Sequence, residues 1–387
     1  MYSNQTYGDN TAFQALALAG KRREYGDINL SQRMQIAQVP TLSIGVMKNY
    51  QTIFTTIIGD RSENANESLA VTGSFDFDFG GNDIYQVASI SKPVFMAAVL
   101  RIVQAGKIAL DDDVSAYFPQ GFALEYEGDY VPITLRQLLS HTSGSNLPGF
   151  EGYKPNEQLP TIAQILKGEP PSHDEALTLI HKPGTQVSYS GGGYLLAQAV
   201  ITKLLDQNFT NIMQEWILKP CEMKDSFYGT QIPIEKQNRC IFGHRKNPLM
   251  LLEGGYQRMP ELAAAGLWST PGDLMKFGRQ ITRALAGNTQ LFSQGLIEYA
   301  LSPILPQTND NFAIKEPTNV MGTGFFLNKE WFYHSGSNPG YTCEMRFSRK
   351  GGNGLAVLCN GDQAQDFLKE IFLVLDDLFE CNSSEYR

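Results

Sequence analysis

The sequence predicts an α+β protein: one antiparallel sheet assembled from both chain ends and flanked by terminal helices, with a large, mainly α-helical insertion between them. Strand-turn-strand signals at opposite ends of the chain and a run of helical patterns between them carry this expectation. Residues 40–60, PTLSIGVMKNYQTIFTTIIGD, hold two β-branched apolar runs around Lys48-Asn49-Tyr50-Gln51, which reads as a strand, a tight turn and a second strand. Near the other end, 341–348 and 354–359 are strand-like, and Arg349-Lys350-Gly351-Gly352-Asn353 makes the turn between them. Two hairpins of this kind fit one shared sheet.

Helical spacing dominates the middle, at 94–104, 134–139, 193–205 and 270–286. The stretch 366–380 sets Phe367, Ile371, Val374, Leu375 and Leu378 on one face and carboxylates on the other, so it should pack on the sheet as an amphipathic helix. Residues 1–387 then form a single unit, with 1–80 and 320–387 as the sheet part and 81–319 as the mainly helical part. A cleft between the two parts is the natural place for a ligand.

The 387 residues, 42% of them hydrophobic, suffice for a large core. A formal net charge of -9 disfavours a polyanion over most of the surface, so nucleic acid is not an expected partner. The five cysteines, Cys221, Cys240, Cys343, Cys359 and Cys381, form no CxxC pair and read as buried thiols. No run approaches the ~18 to 20 apolar residues a membrane-spanning helix needs. The first residues, with their short, late apolar run 15–19, do not form a signal-peptide pattern, so the expectation is a soluble chain, cytoplasmic or exported with a leader removed.

Ser89-Ile90-Ser91-Lys92 is the only Ser-x-x-Lys in the chain. Residues three apart share a helix face, so a helix beginning at Ser89 brings the hydroxyl and the amine within reach. Pro93 supports that start, because in the first turn its missing N–H has no intrahelical partner to lose. The following residues, 94–100, are apolar all round and predict a buried helix, which places Lys92 at the edge of a dry core. Burial lowers a lysine pKa and makes it a base near neutral pH, while a helix start supplies N–H groups for an oxyanion. The same residues are also compatible with Ser89 as a helix cap and Lys92 as a snorkelling surface side chain.

Further stretches, in order along residues 35–375, resemble the serine β-lactamase and penicillin-binding-protein superfamily, especially its class C, esterase and D-aminopeptidase-like branch, whose signature pairs Ser-x-x-Lys with a later Lys-Thr-Gly. The similar segments are 106–119, the helix and turn ITLRQLLSHTSG at 133–144, and AGLWSTPGDL at 265–274. The resemblance implies a β-lactamase/transpeptidase-like fold and, on a loop facing the serine, a Tyr-x-Asn element. Tyr189 takes its tyrosine position and Gly191 replaces its asparagine. A phenol beside an ammonium group has its anion favoured, so Tyr189 is expected to pass a proton between serine, lysine and leaving group.

The Lys-Thr-Gly element matches His334-Ser335-Gly336, followed by Ser337. By the resemblance these residues and Gly191 would line the substrate site, and the backbone N–H groups of Ser89 and Ser337 would form the oxyanion hole. Gly336 would let a substrate come close to the backbone. A neutral His334 where relatives carry a charged lysine makes a free carboxylate on the substrate less strongly implied.

The reaction expected is acyl transfer through Ser89, with Lys92 and Tyr189 as the base, on an ester or amide of a small molecule or short peptide. No metal or organic cofactor is implied, and the oligomeric state is open. β-lactamase, D-Ala carboxypeptidase and D-aminopeptidase activities would use the same residues, and a catalytically silent binding fold is the alternative from another class. The remaining histidines, His141, His173, His181 and His244, show no ligand spacing and read as structural.

Overall fold

The computed structural model describes residues 30–59, 77–79, 82–246, 249–305 and 320–376. Its frame is an eight-stranded antiparallel sheet built from the two ends of the described chain. Strands β1 (Thr41–Lys48), β2 (Gln51–Gly59) and β3 (Phe77–Phe79) come from the first part. Strands β4 (Val320–Met321), β5 (Phe326–Leu327), β6 (Trp331–Asn338), β7 (Tyr341–Ser348) and β8 (Gly354–Cys359) come from the last. The spatial order is β4-β5-β6-β7-β8-β1-β2-β3, so the two chain ends meet where β8 pairs with β1, Leu42 opposite Cys359.

Both hairpins lie where the residue pattern puts them. Asn49 and Tyr50 have φ of 52° and 64°, the left-handed pair that turns β1 into β2 with the twist the strands need. Alternation along the strands separates two apolar layers. Leu42, Ile44, Val46, Leu355 and Val357 face helix α1 (Leu30–Ala37) and the C-terminal helix α7 (Gln365–Asp376), through Met34, Phe367 and Ile371. Of the amphipathic face expected over 366–380, Leu378 lies outside the described residues.

Met47, Ile57, Phe347, Ala356 and Leu358 face the other core, which holds the helices α2 (Ser91–Gln104), α3 (Leu135–Leu139), α4 (Gly191–Leu205), α5 (Leu262–Ala265) and α6 (Pro271–Leu285). Their starts are set by local chemistry. Thr134 opens α3 with a reciprocal capping box to Gln137, and Thr270 caps α6 with Pro271 in its first turn. Gly278 lets α6 lie directly on the sheet, because a Cβ there would stand 1.9 Å from the Phe347 ring. A small sheet of Tyr85–Gln86, Leu267–Ser269 and Phe227–Tyr228 ties the beginning of α2 to the end of α5.

Cys221, Cys240, Cys343 and Cys359 are buried free thiols, and Cys381 lies outside the described residues. Among the described residues, no helix is long and apolar enough to cross a membrane.

Candidate active site

Ser89 sits two residues before α2, on a single 3-10 turn, Ala88–Ile90, rather than at the start of the helix itself. Ala88 is held at φ 48°, a left-handed conformation that costs an alanine energy. The turn is pinned from behind: Val87 N–H donates to Leu267 O at 3.0 Å, and Ser91 Oγ accepts the Leu267 N–H at 2.9 Å. The Ser89 side chain is thus presented, partly exposed, at the floor of a cleft of about 650 Å³.

Lys92 lies beneath it, 1% exposed, and the apolar run 94–100 behind it is buried throughout. Its Nζ donates to Ser89 Oγ at 2.9 Å and to Ala264 O at 2.9 Å, the latter from α5. Among the described residues, no carboxylate is a hydrogen-bond partner of Nζ. Burial therefore acts unopposed and pushes the lysine down to about 7.

Tyr189 arrives on the loop before α4 and also borders the cleft. Its ring lies 5.1 Å from Lys92 Nζ, and its hydroxyl is hydrogen-bonded with Ser89. The ammonium was expected to favour the phenolate, and that expectation needs correction. Burial pushes Tyr189 above the ordinary phenol range, against the Ser89 hydrogen bond. The physical reason is desolvation: burial penalises the phenolate more than its hydrogen bond with Ser89 stabilises it.

One wall of the cleft is the free edge of β6 beyond its short pairing with β5, and carries His334, Ser335, Gly336 and Ser337. His334 is 1% exposed, and burial with the nearby Lys92 pushes it down to about 3. Its Nδ1 lies 2.6 Å from Ser335 O. A carbonyl oxygen has only lone pairs, so Nδ1 carries a proton, and the lowered pKa makes it the ring's only one. Gly336 is where β6 meets the serine turn: a Cβ there would lie 2.4 Å from Val87 O and 3.1 Å from Ala88 Cβ. Its expected role was close approach of a substrate, but the close approach the structure shows is that of the serine turn.

Gly191 is not brought to the cleft wall. It opens α4 under Phe150, whose Cε2 would be 2.9 Å from a Cβ at that position, and it is Phe150 with Pro148 and Gly149 that lines the cleft. The ring thus borders the place where the family's asparagine side chain would start.

Two residues near the site carried no signal in one-dimensional spacing. His141 stacks on the Tyr189 ring, centroids 4.2 Å apart, and Cys343 donates from Sγ to Val87 O at 3.1 Å. Only their packing against already singled-out residues reveals them. Among the described residues, no group of three or more His, Cys, Asp and Glu side chains is placed to hold a metal ion.

Comparison with known proteins bears on the fold and the family. Protein flp of Staphylococcus aureus strain MRSA252 is 25% identical over 348 residues, which is 86% of this chain and 62% of that protein. The chain thus spans less than two thirds of the length of this relative. Among solved structures, a D-stereospecific amidohydrolase from Streptomyces sp. superposes with a TM-score of 0.66 at 22% identity, covering 94% of this chain and 98% of that one. EstCE1, a hydrolase with promiscuous acyltransferase activity, superposes at 0.71 with 14% identity, covering 94% and 99%. Likeness at these identities shows a shared fold. The profile of the Beta-lactamase family matches residues 27–378, and with nearly the whole chain so covered, this protein belongs to the Beta-lactamase family.

Proposed function

We propose that the protein is a serine hydrolase that cleaves an ester or amide bond in a small molecule or short peptide through an acyl-enzyme on Ser89. The observation that carries this reading is the 2.9 Å contact between Ser89 Oγ and a buried Lys92 whose pKa is pushed down to about 7. When Lys92 is neutral, Ala264 O still takes one of its N–H groups, leaving the lone pair to accept the Ser89 proton. The freed Oγ attacks the carbonyl, whose oxyanion is held by the backbone N–H groups of Ser89 and Ser337, both residues of the cleft. Tyr189, kept protonated by its burial, delivers its proton to the leaving group and is reprotonated from Lys92. Water then repeats the sequence in reverse and releases the acid.

The neutral His334 and the Phe150 ring favour substrates without a carboxylate at the place where penicillin-type ligands would be held, and so favour esters and amides over β-lactams. The structural neighbours include proteins described as a D-stereospecific amidohydrolase and as a hydrolase with promiscuous acyltransferase activity, which is in keeping with this class. Incubation with a fluorophosphonate and, separately, with penicillin, followed by peptide mapping, tests the reading. An adduct on Ser89 from the fluorophosphonate alone is expected, together with loss of activated-ester hydrolysis in Ser89→Ala. Unchanged hydrolysis in Ser89→Ala would overturn it.

A further inference from the structure

His141 holds the segment around Tyr189 at three points. Its carbonyl oxygen accepts the Ser188 N–H at 2.7 Å, its Nδ1 accepts the Ser190 N–H at 3.0 Å, and its ring stacks on the intervening Tyr189 ring at 4.2 Å with an interplanar angle of 27°. One residue thus grips the backbone on both sides of the tyrosine and the side chain itself. It can do so because its own backbone is left-handed, φ 57°, which a histidine tolerates better than most residues.

The bond to Ser190 also determines the chemical form of the ring. An N–H donor requires a bare Nδ1, so the proton resides on Nε2 and the imidazole is neutral. His141 is fully buried, and its Nε2 finds no hydrogen-bond partner among the described residues. Burial, with Lys92 and His334 nearby, pushes its pKa well down, which keeps that form through the neutral range. A second ring, Tyr194, lies 5.2 Å from His141 and 5.8 Å from Lys92 Nζ, so the imidazole is wedged between the two tyrosines that flank the lysine.

We infer that His141 is a positioning residue for Tyr189, fixing the height and tilt of its ring so that the hydroxyl stays on Ser89. The inference rests on the proposed acyl-enzyme reading and on Tyr189 as its proton carrier. Stability alone would not require all three contacts to converge on one partially exposed tyrosine. A packing histidine would be free to bond elsewhere. Misplacing a reacting group by about 1 Å costs up to about 100-fold in rate.

A double-mutant cycle with His141→Phe and Tyr189→Phe, read on p-nitrophenyl acetate and phenyl acetate, tests this. His141→Phe keeps a ring but loses the acceptor for Ser190. His141→Asn keeps an acceptor, tolerates the left-handed backbone and carries the test if the phenylalanine variant does not fold. The expected result is a kcat lowered by about 10- to 100-fold with KM within about twofold, and a larger loss for the poorer leaving group, phenol. In the Tyr189→Phe background the same His141 substitution should have no further effect on kcat, because there is no hydroxyl left to place. Equal fold losses in both backgrounds would show independent, purely structural action and overturn the inference, as would an unchanged kcat in folded His141 variants. Hydrolysis that survives Ser89→Ala overturns the acyl-enzyme reading, and this inference with it, whereas additivity in a Ser89-dependent enzyme removes only the role of His141.

Discussion

Gly336 and Val87 approach so closely that a methyl group on Gly336 would stand 2.4 Å from the Val87 carbonyl oxygen. Strand β6 and the strained turn that carries Ser89 are locked together at this point, although they lie some 250 residues apart in the chain. Cys343, opposite Gly336 in the sheet, adds its Sγ contact to the same carbonyl. The two halves of the proposed oxyanion hole therefore owe their spacing to one missing side chain.

Gly336→Ala should consequently cost more in catalysis than in stability. Displacing one oxyanion donor costs about 2.7 to 4 kcal/mol of barrier stabilisation, against about 1–3 kcal/mol for overpacking a tight site. Fluorophosphonate labelling rates of Ser89 and urea midpoints on the same preparations separate the two. Normal labelling with a lowered midpoint would contradict this.

The pH dependence follows from Lys92. A base must be neutral, and Lys92 loses its proton as pH rises through about 7. The acylation rate is thus expected to climb between roughly pH 6 and 8 and then level off, read from kcat/KM on an activated ester. Lys92→Arg stays protonated throughout and should lose about 10²- to 10⁴-fold with no such rise.

Introducing the asparagine that the family pattern places at position 191 should destabilise this protein. The Phe150 ring sits 2.9 Å from where its Cβ would be. Gly191→Asn alone is expected to cost about 1–3 kcal/mol. Combined with Phe150→Ala, which clears the space, part of that loss should return. Additive losses in denaturant unfolding would argue against the contact.

Glu261 contributes a pH-dependent weakness. Its side chain is fully buried, both carboxyl oxygens lack hydrogen-bond partners among the described residues, and burial pushes it up to about 8. A carboxyl raised in the folded state is fully tolerated below its unfolded value, near 4.5, and stability is then lost as pH rises towards 8, because only the unfolded chain ionises freely. The loss is on the order of 3–5 kcal/mol at full span. Glu261→Gln should therefore raise the melting temperature more at pH 8 than at pH 5. An equal effect at both values would mean the carboxyl is not the cause.

Local pattern carried much of this protein into view. The period-two runs and the turns at 48–51 and 349–353 define both hairpins without any distant contact, because strand faces and left-handed turn residues are properties of neighbouring residues. Pro93 and the all-apolar run after it marked α2, and with it the burial of Lys92, since a helix apolar on every side has nowhere to go but the interior. The order of the family-like segments completed the outline of the sheet and the placing of Tyr189 and His334.

What local pattern could not determine is which side chains meet. The 3-10 turn at Ser89 exists because Leu267 anchors it from another part of the chain. Tyr189 keeps its proton because burial penalises the phenolate. Gly191 is covered by Phe150, and His141 grips Tyr189, through packing between loops 40 or more residues apart. The acid-base character of each group depends on desolvation, and desolvation is a property of everything packed around a residue, which only the tertiary structure decides.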